Sequence, residues 1–146
     1  DTGMTALIKI NDKPSVAGQI ELEDFATLAG LGFKAVINNR PEGEEPTQPA
    51  SAEEAEAAAK NGLTYAHIPV TGPSIREQDV RDLQAVLAKT DGPVLAHCRS
   101  GTRSLTLFAI GEVLDGRMKR EDLPAFGASH GLDMRGADAW LARNGH

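Results

Sequence analysis

Six consecutive residues, Cys98-Arg99-Ser100-Gly101-Thr102-Arg103, concentrate the reactive side chains of this sequence: one thiol, two guanidinium groups and two hydroxyls around a glycine. Cys98 is the only cysteine of the chain. The thiolate is the nucleophilic form; a free cysteine has a pKa near ~8.5, and a helix N-terminus with cationic neighbours brings it to roughly 3.5–7.5. Each unit of such a shift is about 1.4 kcal/mol of preference for the charged form. Arg103 offers a planar fork that can grip an oxyanion through two parallel N–H bonds. A nucleophile and an anion receptor in one loop point to sulfur or phosphorus chemistry. The plain alternative, a small buried core cysteine, fits poorly with so many polar neighbours.

The flanking residues supply the geometry. Pro93 to Ala96 is a short apolar run of strand type, and Ser104 opens an amphipathic, helix-favouring segment from Leu105 to Leu114. Strand, tight loop and helix start, in that order, aim successive N–H groups and the positive end of a helix dipole at one point. Upstream, strands are predicted over 7–10, 16–20 (broken by Gly18), 34–38 and 63–70, and a helix over 21–31. Two further helices carry capping boxes: 51–61 with Ser51 and Glu54, and one running to Lys89 from Ser74 and Glu77. Downstream, 120–128 and 137–144 read as short helices, with Trp140 packed onto the core. The stretch 39–50, with three prolines and three glutamates, reads as a solvated linker rather than a lid. Strands alternating with helices imply a single α/β domain over residues 1–146, a mostly parallel central sheet flanked by helices. The functional crevice of such a sheet lies beyond the carboxyl ends of its strands, where Cys98 falls.

Composition narrows the partners. With 146 residues, 40% apolar and 25% charged, the chain is long enough to bury a core without disulfide or metal. A net charge of −6 argues against nucleic acid or an anionic membrane as partner. One cysteine excludes an internal disulfide or a cysteine-rich zinc site, and four scattered histidines have no ligand spacing. No metal or other cofactor is therefore expected. The expected compartment is the reducing cytoplasm, with neither a membrane span nor a signal peptide read in the sequence. Asp1-Thr2-Gly3 precede the first methionine, Met4, and read as an addition to the natural chain.

The runs GFKAVINNRPEGEEP, GLTYAHIPV and HCRSGTRS resemble a bacterial domain family with the dual-specificity phosphatase-like, or cysteine-phosphatase, fold. The likeness spans about Ile8 to Leu114. Members are described either as phosphatases or as sulfurtransferases, and some are fused to a persulfide dioxygenase in the beta-lactamase hydrolase-like proteins. Cysteine phosphatases separate nucleophile and arginine by five residues, whereas here four, Arg99 to Thr102, lie between Cys98 and Arg103. That shorter loop is similar to the one in single-domain rhodaneses and implies a ring of N–H donors better sized for one outer sulfur than for a phosphate. The resemblance also places an aspartic acid after the strand ending His67-Ile68-Pro69-Val70, yet Thr71-Gly72-Pro73-Ser74 holds no carboxylate.

The primary expectation is thus a sulfurtransferase. Cys98 takes the outer sulfur of thiosulfate or a low-molecular-weight persulfide, and a thiol or cyanide-like acceptor removes it; a persulfide dioxygenase or flavoprotein reductase is the expected protein partner. Arg103 binds the anionic donor, the loop from Arg99 through Ser100, Gly101 and Thr102 cradles it, and His97 orders the loop, as the resemblance implies. Arg99 sits at the rim. Ser104 donates to the sulfur or caps the helix, while His67 is a satisfied structural histidine and Arg40 is left outside the site. The alternatives are a cysteine-dependent phosphatase with a phosphocysteine intermediate, and a non-catalytic module that binds sulfane sulfur or an oxyanion.

Overall fold

A computed structural model describes residues 4–146; Asp1–Gly3, read above as an addition, lie outside the described residues. Five strands form one sheet in the order β1-β2-β5-β3-β4: β1 (Ile8–Lys9), β2 (Pro14–Ala17), β3 (Ala35–Asn38), β4 (Thr64–His67) and β5 (Val94–His97). β1 pairs antiparallel at one edge, and the remaining pairings are parallel. The helices are α1 (Asp24–Gly30), α2 (Ser51–Lys60), α3 (Glu77–Lys89), α4 (Thr102–Leu114), α5 (Leu123–Ser129) and α6 (Arg135–Arg143). This is the single, mostly parallel α/β domain that the alternation of elements implied, with several boundaries shifted. The strand expected over 16–20 stops at Ala17, and the one expected over 63–70 is confined to Thr64–His67.

Strand alternation divides the core into two layers. Val94, Ala96, Ala35 and Ile37 face the layer built by α3, α4, α5 and α6, while Leu95 and Val36 face that of α1 and α2. Trp140 packs as expected: it is 2% exposed and its Nε1–H donates to the Ile75 carbonyl at 2.8 Å. Full burial of so large a side chain stabilises by about 2–3 kcal/mol before entropy is counted, and the indole N–H is satisfied at the same time.

The two expected capping boxes are each displaced. At α2 the Ala50 N–H is closed by Glu53 Oε1, 2.9 Å away. Glu54, read as the capping acid, is fully buried and turned inward. At α3 the cap is Arg76, whose N–H donates to Asp79 Oδ2 at 2.9 Å, and Ser74 sits in a preceding 3-10 turn. At each helix start two acids lie within reach of the first turn, and the one three residues after the extended cap residue closes it.

The register sets Ala17, His97 and Asn38 at one level on neighbouring strands, with His67 level with Asn38 beyond them. Helices α1 and α2, which follow β2 and β3, cover one face; α4, which follows β5, covers the other. The crevice between connections that diverge in this way opens at the carboxyl end of β5. Cys98 is the next residue.

Candidate active site

Cys98 is fully buried, but not in hydrocarbon. Its sulfur accepts the Gly101 N–H at 3.0 Å, at the mouth of α4. Gly101 is the N-cap of α4 with φ 97°, a left-handed conformation that a side chain would strain. Only that turn brings its N–H back onto a sulfur three residues earlier. The exit of β2 buttresses the loop: Cys98 N–H donates to Ala17 O (3.2 Å) and Gln19 N–H to Arg99 O (3.2 Å). A Cβ on Gly18 would lie 2.8 Å from the Arg99 carbonyl oxygen. Gly18 is therefore required by close approach, where the sequence suggested only a broken strand.

Arg103 reaches over from the first turn of α4. Its Nη1 donates to Glu44 Oε2 and to the Val70 carbonyl, both at 2.8 Å, and its Nη2 donates to Glu44 Oε1 at 2.9 Å. Burial pulls the Arg103 pKa down, but pairing with Glu44 and the nearby Cys98 sulfur outweigh it and hold the group above the ordinary arginine value. Arg99 lies at the rim, two-thirds exposed, 3.4 Å from Glu45. Ser100 and Thr102 bond to each other through their hydroxyls at 3.3 Å. Ser104 neither donates to the sulfur nor caps its helix: its hydroxyl donates to Asn39 Oδ1 at 2.7 Å, pinning α4 to the end of β3.

The segment 39–50 is not a linker. It folds over the cysteine loop, and the reason is Arg40, which is 1% exposed. Its Nε donates to Glu44 (2.9 Å), Nη2 to Glu45 (3.0 Å) and Nη1 to Gln19 (2.8 Å), while its carbonyl meets His67 Nε2 at 2.6 Å. A buried guanidinium without partners would cost several kcal/mol; the two glutamates are drawn inward to satisfy it. Arg40, Glu44 and Glu45 thus belong to the site, and His67 plays the structural part expected of it. The signal was available in the sequence as an arginine followed by two adjacent glutamates, directly after the carboxyl end of a strand.

Behind the loop lies a second pair missed from the sequence. His97 Nε2 and Glu54 Oε1 share a 2.8 Å hydrogen bond with both side chains wholly buried, and Glu54 Oε2 accepts from Gln19 Nε2 at 3.1 Å. Through Gln19 the pair connects to Arg40, then to Glu44 and Arg103. Every buried side-chain nitrogen and oxygen among the described residues has a partner. A hollow of about 510 Å³ lies away from Cys98, between Lys13, Leu87, Phe108 and Arg117.

The Arg103 guanidinium, then Arg40, hold the Glu44 carboxyl down to about 2 from 4.5, against an opposing effect of burial. A depressed folded-state pKa contributes stability that is present above about 4.5 and lost as pH falls through about 2. The ceiling is about 3 kcal/mol at about 1.4 kcal/mol per unit, which partial exposure of the carboxylate cuts to roughly 1–2 kcal/mol. Urea unfolding of wild type and Glu44→Gln should therefore differ by that amount at pH 7, the difference closing between pH 4 and pH 2. A difference that persists to pH 2 would show that the ion pair is not its source.

A thiol at a helix N-terminus, an arginine in the first turn of that helix and a mostly parallel sheet covered by helices on both faces define a cysteine-phosphatase-like α/β domain. Residues 7–115 match the family described as "Beta-lactamase hydrolase-like protein, phosphatase-like domain", and the chain belongs to that family. It is 48% identical over 136 residues to the beta-lactamase hydrolase-like protein of Agrobacterium fabrum, covering 93% of this chain and 32% of that one. The chain thus spans about a third of the length of the curated relatives it matches. Among solved structures it resembles a phosphatase candidate from Neisseria meningitidis, with TM-score 0.81, 28% identity, and 93% and 96% of the two chains covered. It also shares its fold with TpbA of P. aeruginosa, with TM-score 0.69, 18% identity, and 95% and 88% covered. These comparisons establish the family and the fold. They favour the phosphatase alternative and give no support to the sulfurtransferase expectation or to a rhodanese kinship. Among the described residues no helix is long and apolar enough to cross a membrane.

Proposed function

We propose that this domain is a cysteine-dependent phosphatase acting on anionic phosphomonoesters. The observation that carries the reading is the pairing of one thiol and one fork. Cys98 sulfur lies on the Gly101 N–H at a helix N-terminus, and Arg103 already holds a planar anion, the Glu44 carboxylate, through both terminal nitrogens. Two phosphoryl oxygens present the same spacing to a guanidinium. Cys98 thiolate attacks phosphorus, the ester P–O bond breaks, and the leaving oxygen departs with a proton. Water then attacks the phosphocysteine, releasing phosphate and restoring the thiolate. Loop N–H groups and Arg103 hold the charge that gathers on the equatorial oxygens.

A second reading keeps one observation of its own: only four residues separate Cys98 from Arg103. A ring that short suits sulfane-sulfur transfer, in which Cys98 attacks the outer sulfur of thiosulfate, sulfite leaves with the S–S bonding electrons, and a thiol or cyanide takes the sulfur from the Cys98 persulfide. Intact-protein mass spectrometry on wild type separates the two. Incubation with para-nitrophenyl phosphate should give hydrolysis and a phosphoryl adduct on Cys98, while thiosulfate with cyanide gives no thiocyanate. A sulfur adduct and thiocyanate without ester hydrolysis would overturn the phosphatase reading. Binding of phosphate with neither reaction would leave a non-catalytic anion-binding module.

A further inference from the structure

We propose that Glu44 is the proton donor for the leaving group, held on Arg103 until the anionic group of the substrate displaces it; the proposal rests on the phosphatase reading above. An ester oxygen leaving at neutral pH needs a proton, and the turn after β4, Thr71-Gly72-Pro73-Ser74, contains no acid.

The other carboxylates near the loop are committed elsewhere. Asp79 is held by the Arg76 N–H and guanidinium at the start of α3, and Glu77 lies on the outer face of that helix against Arg81. Glu54 is sealed behind His97, on the far side of the sheet from α4. Glu45 bridges Arg40 and Arg99. Glu44 alone among the described carboxylates bonds Arg103, the arginine that closes the loop opened by Cys98.

Its bonding also lets it move. Glu44 lies outside regular secondary structure, and its side chain is 25% exposed. When it swings away, Arg40 keeps Glu45 and Gln19, and Arg103 keeps the Val70 carbonyl. Neither arginine is left buried and bare. The groups that face Glu44 are Arg40 from its own segment and Arg103 from α4, with Cys98 beyond Arg103. In the resting protein both cations keep it ionised. Once phosphoryl oxygens take the Arg103 fork, Glu44 faces an anion in place of a cation, and its proton affinity rises.

The proton balance closes. Glu44 as the acid gives its proton to the ester oxygen as the P–O bond breaks. In the second half the Glu44 carboxylate takes a proton from the attacking water, and the P–S electrons return to Cys98.

The test compares phenyl phosphate, a poor leaving group, with para-nitrophenyl phosphate, a good one, on wild type and Glu44→Gln across pH 4–9. The expected loss is about 10²–10³-fold on phenyl phosphate and less than about 10-fold on para-nitrophenyl phosphate, with loss of the descending alkaline limb of kcat. Inorganic phosphate, as a competitive inhibitor, should bind Glu44→Gln about 10-fold more tightly because the resident carboxylate is gone. Equal losses on both esters, or a gain on both, would overturn the proton-donor role; unchanged or weaker phosphate affinity would overturn the displacement. Wild type that hydrolyses neither ester refutes the phosphatase reading and takes this proposal with it. Wild type that hydrolyses both, with Glu44→Gln indistinguishable from it, refutes the Glu44 role alone.

Discussion

Cys98→Ser lowers turnover on any substrate of this site by on the order of 10⁴-fold or more, with the fold and anion binding retained. The argument is local. A serine hydroxyl is a useful nucleophile only when a base removes its proton, and the adjacent histidine is not placed to do so: His97 Nε2 is engaged by Glu54, behind the sheet. The groups around Cys98 are the Gly101 N–H, the start of α4 and Arg103. None of them is a general base, which an alcohol nucleophile needs far more than a thiol does. The oxygen of serine is smaller than sulfur and still accepts from Gly101, so the loop keeps its shape. Steady-state kinetics with para-nitrophenyl phosphate and with thiosulfate, beside phosphate binding by calorimetry, check both halves. Retention of more than about one per cent of either activity would remove Cys98 from the chemistry altogether.

The candidate site was legible in the sequence because it is written contiguously. Strand, cysteine, glycine, arginine and helix follow one another within a single βα connection, and local rules suffice to read it. Arg40, Glu44 and Glu45 were misread for the opposite reason: they meet the loop only through the sheet order β5-β3, which sets Asn38 level with His97. A polar, proline-rich stretch looks like solvated linker until a buried guanidinium beneath it is known. Glu54 was misread by a rival local rule. Three residues after a serine at a helix start, it fits a capping box, and burial against His97 outweighs that preference while Glu53 takes the cap. The loop length was read correctly and weighted too heavily. It drew the expectation toward sulfur transfer, whereas family and fold point toward phosphatases.

The Glu54–His97 pair gives the largest expected effect on stability. Both side chains are wholly buried, so Glu54→Ala strips the imidazole Nε2 of its partner, removes one of the two acceptors of the Gln19 amide nitrogen and leaves a void within α2's packing. Breaking a buried pair from one side costs about 3–5 kcal/mol, set against the 5–15 kcal/mol that holds a typical domain together. Glu54→Gln keeps the volume and one acceptor oxygen for His97, and should cost only about 1–2 kcal/mol. Urea unfolding at pH 7 measures both differences. The catalytic consequence separates positioning from mere support. His97 is the residue before the nucleophile, and Glu54 reaches Arg40 through Gln19, so Glu54→Gln should lower kcat several-fold at temperatures where the protein is fully folded. KM should shift less, because the Arg103 fork and the loop N–H groups that would bind the substrate are left in place. A loss below about 1 kcal/mol for Glu54→Ala would mean that water reaches His97, and that the chain from His97 to Arg103 does not hold the cysteine loop in position.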